Sequence, residues 1–131
     1  MRNKRILIVD DDATVRAPVV KYFRGLGHDV DGAAEAEEAG ALVAVRRYDA
    51  AIIDLRLTNL NGAEGIELVR EIRGHDAATV VVVLSAYVSP EARAEATRLG
   101  ASVLQKPHPL ADLARLALGG EPVPGAGGVS A

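Results

Sequence analysis

The sequence predicts an α/β fold, a (βα)5 doubly wound sheet of five parallel strands with helices on both faces in three layers, α/β/α. Short continuous apolar runs at 6–9, 50–53 and 80–84 are typical of strands buried on both faces. The segments between these runs carry apolar residues at spacings of three and four, which indicates helices. Because the two patterns alternate from residue 5 to about residue 118, the strands are expected to run parallel.

The first four elements are predicted as a strand at 5–9, a helix that stops at Gly25 and Gly27, an edge strand at 28–33 and an Ala- and Glu-rich helix at 34–47. Asp12 is the expected N-cap of the first helix, because aspartate side chains accept hydrogen bonds from first-turn amides. Pro18 is expected early in this helix, where proline is tolerated better than in the middle.

The second half of the chain begins with a second buried run at 50–55, which carries the acid Asp54 where the strand ends. Ser89 and Pro90 are expected at the N-cap and N1 positions of the fourth helix. The remaining elements are predicted at 66–74 (helix, after a long connection at 56–65), 79–85 (strand), 90–100 (helix), 102–105 (strand) and 110–118 (helix).

Composition narrows the class of protein. The 131 residues fit one domain, and we expect it to span 1–118, followed by a flexible Gly/Pro/Ala-rich tail or linker at 119–131. The net charge of −3 argues against nucleic-acid and anionic-membrane binding, and the lack of cysteine excludes disulfides and thiolate metal sites. The apolar run at 6–9 is too short for a signal peptide or membrane span, so a cytoplasmic location is expected.

Polar residues stand where the predicted strands end. Asp10 and Asp11 follow the first strand, Asp54 the third, Ser85 ends the fourth and Lys106 follows the fifth. Each alone is more often a turn, cap or surface residue. Because ligands of open parallel sheets bind beyond the carboxyl ends of the strands, we expect one shared site. Two carboxylates about 4 Å apart repel by roughly 4 kcal/mol at an effective dielectric of ~20, which Mg²⁺ would offset.

This set of residues suits phosphoryl chemistry with Mg²⁺, in which a carboxylate acts as nucleophile and Ser85 and Lys106 bind phosphoryl oxygens. At this point the sequence resembles the CheY-like receiver domains of two-component response regulators. The matching motifs are ILIVDDD at 6–12, YDAAIIDL at 48–55, VVLSA at 82–86 and GASVLQKP at 100–107. The resemblance implies a flavodoxin-like strand order 2-1-3-4-5 and phosphorylation of Asp54 by a histidine kinase or a histidine phosphotransfer protein.

The resemblance also implies a role for each residue of the site. Asp11, Asp54 and the backbone carbonyl of Arg56 would bind Mg²⁺ directly, and Asp10 would act mainly through water. Ser85 would turn toward the phosphoryl group, Ala86 would contact it and Lys106 would pair with it. The bond between Lys106 and Pro107 is expected to be cis. The fourth helix, fifth strand and fifth helix would face a downstream protein or a second copy of the chain.

Three features depart from the family pattern. Val103 replaces the usual aromatic residue of the switch, which puts the usual output mechanism in doubt. The connection at 56–65 lacks the usual proline and is about three residues longer than the common form. Arg56 and Tyr87 flank the expected pocket, and their bulk predicts a long-lived phosphorylated form.

Two other functions remain open. The run DDDAT at 10–14 also matches a haloacid dehalogenase signature, in which Asp10 would be the nucleophile of a phosphatase, but this leaves Asp54 unexplained. A receiver-like interaction module that works without phosphorylation is the second alternative. The preferred prediction is a signalling phosphoacceptor, which is not an enzyme beyond its own phosphoryl transfer and dephosphorylation.

Overall fold

The computed structural model describes residues 3–54, 63–107 and 109–119. In these segments strands and helices alternate as β1 (Arg5–Val9), α1 (Ala13–Gly25), β2 (Asp29–Ala33), α2 (Ala36–Val45), β3 (Ala50–Ile53), α3 (Ala63–His75), β4 (Val80–Ser85), α4 (Pro90–Arg98), β5 (Ser102–Gln105) and α5 (Leu110–Leu118). None of these helices is long and apolar enough to cross a membrane.

All four strand pairs are parallel, and the order in the sheet is β2-β1-β3-β4-β5. The predicted (βα)5 fold, the strand order and the position of β2 at an edge are therefore confirmed. Successive side chains of a strand point to opposite faces, so β1 contributes to two cores. Leu7 and Val9 pack with residues of α2, α3 and α4, whereas Ile6 and Ile8 pack with residues of α1 and α5.

The predicted caps are present. Asp12 accepts hydrogen bonds from the backbone amide of Thr14 at 2.9 Å and from its hydroxyl at 2.6 Å. These bonds lower the pKa of the Asp12 carboxyl below its ordinary value. Ser89 accepts from the amide of Ala92 at 3.1 Å, and Pro90 is the first residue of α4. The peptide bond between Lys106 and Pro107 is cis, as expected.

α1 begins at Ala13, as the predicted Asp12 cap requires, but Pro18 lies inside this helix rather than near its start. Other predicted bounds are wrong. α3 begins at Ala63 and passes Gly74 to end at His75, so the predicted connection at 56–65 was too long. α2 is shorter than predicted at both ends. Residues 55–62 and 120–131 lie outside the described residues, so the loop insertion and the flexible tail stay predictions.

Candidate functional site

The sheet brings the predicted residues to one edge. Asp10 follows the last residue of β1, Asp54 follows the last residue of β3, Ser85 ends β4 and Lys106 follows β5. Backbone hydrogen bonds continue past the strands, from the amide of Asp54 to the carbonyl of Val9 at 3.0 Å and from the amide of Lys106 to the carbonyl of Ser85 at 2.8 Å. The parallel register therefore places these residues side by side at the carboxyl edge.

Three carboxylates meet at this edge. Asp10, Asp11 and Asp54 each place an oxygen within 4.8 Å of the others. Asp10 is 6% exposed and Asp54 is 3% exposed, whereas Asp11 is exposed to solvent. Negative charges this close and this well buried repel one another strongly, because little water remains to screen them. A cation beside these acids reduces their repulsion and stabilises the cluster.

Lys106 supplies one positive charge directly. Its ammonium nitrogen donates to Asp10 Oδ2 at 3.1 Å and to Asp54 Oδ2 at 3.3 Å. The lysine side chain is 12% exposed, so both ion pairs are largely shielded from water. One ammonium between two carboxylates still leaves the three-acid cluster with a net negative charge.

The donor set also fits a hard divalent cation. Carboxylate oxygens are the ligands that Mg²⁺ prefers, and opposite oxygens around this ion lie roughly 4 Å apart. The three oxygens lie within 4.8 Å of one another, so a small inward movement would let two of them bind one ion directly, with the third acid acting through water. Asp12 does not join this cluster, because its side chain caps α1.

Asp10 and Asp11 differ in how their carboxylates are used. Asp10 Oδ1 accepts from the amide of Asp12 at 3.0 Å, and Oδ2 is paired with Lys106. Both Asp10 oxygens are therefore already engaged by the protein. Asp11, in contrast, makes no side-chain hydrogen bond or ion pair with another residue in the described segments, and it faces water.

The hydroxyl of Ser85 is turned toward its own loop. This side chain is completely buried, and its oxygen donates to the carbonyl of Tyr87 at 3.2 Å. The next carbonyl back, that of Ala86, accepts from the side-chain amide of Gln105 at 3.3 Å. The segment that follows β4 is thus fastened both to Ser85 and to β5.

The residues that depart from the family pattern lie in different environments. Val103 is half-buried in β5 and packs against the core that contains α3 and α4. Tyr87 is 68% exposed, so its ring lies largely in solvent. Arg56 and most of the connection at 56–65 lie outside the described residues, so the carbonyl ligand and the long phosphoryl lifetime stay predictions.

Arg16 is a site neighbour that the sequence reading missed. Its guanidinium donates through Nη1 to the backbone carbonyl of Asp10 at 2.7 Å. A signal was available, because Arg16 stands one turn after the N-cap Asp12, and helical side chains lean toward the N-terminus of their helix. An arginine in that position can reach back to the strand end that precedes the helix.

Comparison with known proteins shows which family has this arrangement of residues. The model of the family described as response regulator receiver domain matches residues 6–117. A response regulator receiver protein of Anaeromyxobacter sp. is 36% identical over 105 residues, which are 79% of this chain and 43% of that protein. The chain spans less than half the length of such curated relatives.

Solved structures agree with this match. The response regulator receiver protein of Pseudomonas putida is 31% identical, with a TM-score of 0.79 that covers 92% of this chain and 99% of the other. A CheY-like receiver domain protein of Methanospirillum hungatei is 27% identical, with a TM-score of 0.78 over 86% and 88% of the two chains. The similarity therefore includes the sheet and the strand ends that carry the acidic cluster.

Proposed function

The chain belongs to the response regulator receiver domain family, and on that premise we propose that Asp54 accepts a phosphoryl group from a histidine kinase or a histidine phosphotransfer protein in the presence of Mg²⁺. One observation carries the proposal. Lys106 donates to both Asp10 and Asp54, inside a cluster of three carboxylates at the carboxyl edge of the sheet. In this proposal Asp54 is the nucleophile, Asp10 and Asp11 form the acid pair of the metal site, and Lys106 offsets the charge of the phosphorylated product.

The transfer forms one bond and breaks one. A carboxylate oxygen of Asp54 attacks the phosphorus of a phosphohistidine, the phosphorus–nitrogen bond breaks, and the imidazole leaves with its electron pair and takes up a proton. The product carries about one more negative charge than the free carboxylate. Lys106 already lies against Asp54 and would offset part of that charge. Bound Mg²⁺ would supply further charge neutralisation.

We assign the metal ligands by the same reasoning. Asp11 and Asp54 would bind Mg²⁺ directly, with the carbonyl of Arg56 as a further ligand. Asp10 would act through water, which agrees with the engagement of both its oxygens by Asp12 and Lys106. This proposal divides the acid pair into one residue that binds the metal and one that orders its surroundings.

Ser85 and Ala86 would contact the phosphoryl group and respond to it by a change in conformation. To reach a phosphoryl group, the Ser85 hydroxyl must leave the carbonyl of Tyr87, which frees the segment between β4 and α4. Ala86 has no side chain large enough to block that movement, and its backbone would contact the phosphoryl group. We propose that α4, β5 and α5 form the face that then binds a downstream protein or a second copy of the chain. Family membership supports a cytoplasmic location.

The alternatives fit less well. A haloacid dehalogenase phosphatase would require Asp10 as nucleophile and would leave Asp54, which lies in the same cluster and is paired with Lys106, without a role. An interaction module without phosphorylation would not need a lysine paired with two acids of a three-carboxylate cluster. We therefore propose a signalling phosphoacceptor that catalyses its own phosphoryl transfer and dephosphorylation and acts on no other substrate.

Incubation with acetyl phosphate and Mg²⁺, followed by intact-mass spectrometry, tests the proposal. The wild type should gain the mass of one phosphoryl group, lost on treatment with hydroxylamine, and Asp54→Asn should gain none. Asp12→Asn is the matched control and should react like the wild type, because Asp12 caps α1. An adduct that persists in Asp54→Asn but is lost in Asp10→Asn would favour the phosphatase. Decay of the adduct within minutes would contradict the long lifetime.

A further inference from the structure

Asp10 is bonded at all four of its polar groups. Its amide donates to the carbonyl of Ala33 at 3.0 Å, its Oδ1 accepts from the amide of Asp12 at 3.0 Å, and its Oδ2 pairs with Lys106 at 3.1 Å. The fourth group, its carbonyl oxygen, accepts from Arg16 Nη1 at 2.7 Å. We propose that Arg16 is a positioning residue that fixes the Asp10–Asp11 backbone in the geometry that binds the cation. This inference rests on the proposed function.

The path of Arg16 crosses the edge strand. Its Cα lies in α1, and its side chain passes over Gly32 of β2 to reach the end of β1. A Cβ atom built on Gly32 would lie 3.5 Å from Arg16 Cδ and 3.7 Å from its Nε, which is direct contact. Gly32 pairs in register with Ile8, two residues before Asp10. Distances of 3.5 and 3.7 Å are ordinary van der Waals contact, so the Arg16 side chain lies directly on this part of β2.

The bond acts on the peptide that joins the two acids. The carbonyl of Asp10 and the amide of Asp11 belong to one rigid planar unit. Arg16 therefore restrains the direction in which the chain leaves β1 toward Asp11. A hydrogen bond from a charged guanidinium is short and strong compared with a neutral one, and the observed 2.7 Å agrees with that class. Asp11 itself is exposed and needs such a restraint from its backbone.

The same helix offers a matched control. Arg24 also lies in α1, and its Nη2 donates at 2.8 Å to a backbone carbonyl six residues away, that of Val30 in β2. Both arginines thus make the same kind of bond from α1 to a backbone carbonyl of the sheet or its edge, but only the Arg16 bond ends on the acid pair. A general contribution of such bonds to folding should affect both variants alike.

Calorimetric titration of Mg²⁺ into Arg16→Met, Arg24→Met and Arg16→Lys tests the proposal. Removal of a group that orients a metal ligand commonly weakens metal affinity by ~10-fold or more, which is the expected result for Arg16→Met. Arg24→Met should keep the wild-type affinity, and Arg16→Lys should recover part of the loss. Both methionine variants should lower the metal-free unfolding temperature to a similar extent. Equal Mg²⁺ affinities of Arg16→Met and Arg24→Met would overturn the inference.

The outcome can be separated from that of the proposed function. If the wild type binds Mg²⁺ but accepts no phosphoryl group, the proposed function fails, and the metal affinities still decide the role of Arg16. If the wild type binds no Mg²⁺, the metal-free amide resonances of Asp11 and Asp12 decide it. Wild-type resonances for these amides in Arg16→Met would contradict the proposal, whereas shifts that Arg24→Met lacks would support it.

Discussion

Tyr48 shows how one buried hydroxyl can join two strands away from the acidic site. The residue precedes β3 and is 4% exposed, and its hydroxyl donates to Asp31 Oδ2 in β2 at 2.6 Å. Its carbonyl accepts from the hydroxyl of Thr79 at 2.7 Å. Burial and the Asp31 carboxylate raise the pKa of the Tyr48 phenol, because both disfavour the phenolate.

Tyr48→Phe should lower the free energy of unfolding by about 1.5–3 kcal/mol, the usual contribution of a hydrogen bond to a charged group. The substitution leaves Asp31 with the guanidinium of Arg46 at 3.7 Å as an ion-pair partner. Urea denaturation measures the change. Tyr87→Phe is the control and should alter stability by less than about 0.5 kcal/mol, because Tyr87 is largely exposed. Equal losses in the two variants would contradict the assigned role of the bond.

The raised pKa of Tyr48 also predicts a dependence on alkaline pH. As pH rises through 10.0, the ordinary pKa of the phenol, the unfolded chain releases this proton while the folded chain keeps it. The stabilisation is therefore complete below pH 10 and declines above it. The stability gap between the wild type and Tyr48→Phe should narrow above pH 10, as measured by urea denaturation at several pH values. A constant gap would count against the shift.

The acids at the strand ends were predictable, because alternating strand and helix patterns are enough to bring Asp10, Asp54 and Lys106 to one edge. The side-chain hydrogen bonds between separate elements were not predictable. The contact of Tyr48 with Asp31 joins residues 17 apart in the sequence, and that of Arg16 with Asp10 depends on which face of α1 lies over β2. Such contacts depend on how elements pack, which local patterns do not specify.

Local patterns were also more informative for some secondary-structure elements than for others. Buried strands were predicted closely, because a run of branched apolar residues marks both their position and their length. The bounds of α2 and α3 were harder to predict. In α1, Pro18 was expected near the start but lies inside the helix, and Val19 and Phe23 after it are buried in the core. The free energy gained by burying that face outweighs the unfavourable propensity of one proline.

Pro18→Ala should therefore stabilise the protein. Proline inside a helix costs about 3 kcal/mol through a lost hydrogen bond and a steric clash, and its stiffening of the unfolded chain returns up to ~1 kcal/mol, so a gain of about 2 kcal/mol is expected. Thermal or urea unfolding measures it. Pro90→Ala is the matched control. Pro90 is the first residue of α4, where the backbone N–H has no hydrogen-bond partner within the helix, so this substitution should not raise the stability. A similar gain in both variants would show that position in the helix is not the cause.

At the scale of the whole molecule, the sheet gathers charge at one edge. β1 lies between β2 and β3, so the acids that follow β1 and β3 are neighbours, and Lys106 after β5 reaches both carboxylates. Helices cover both faces of the sheet, whereas its carboxyl edge stays accessible to ligands. The mutual repulsion of the acids opposes folding, because the unfolded chain can separate them. Binding of a cation to this edge should therefore be coupled to the stability of the entire domain.

Mg²⁺ should raise the thermal stability of the protein, because we propose that it binds the folded cluster and not the separated acids. The free energy of unfolding should increase by about 2.7 kcal/mol at a Mg²⁺ concentration of ~100 times the dissociation constant. Differential scanning calorimetry with and without Mg²⁺ measures the change. Asp11→Ala should abolish the increase, because we assign Asp11 as a direct ligand. The control, Asp12→Ala, should lower the baseline by about 1 kcal/mol through loss of the helix cap but keep the Mg²⁺ increment. Loss of the increment in Asp12→Ala, or its survival in Asp11→Ala, would mean that the cation is bound by a different set of acids.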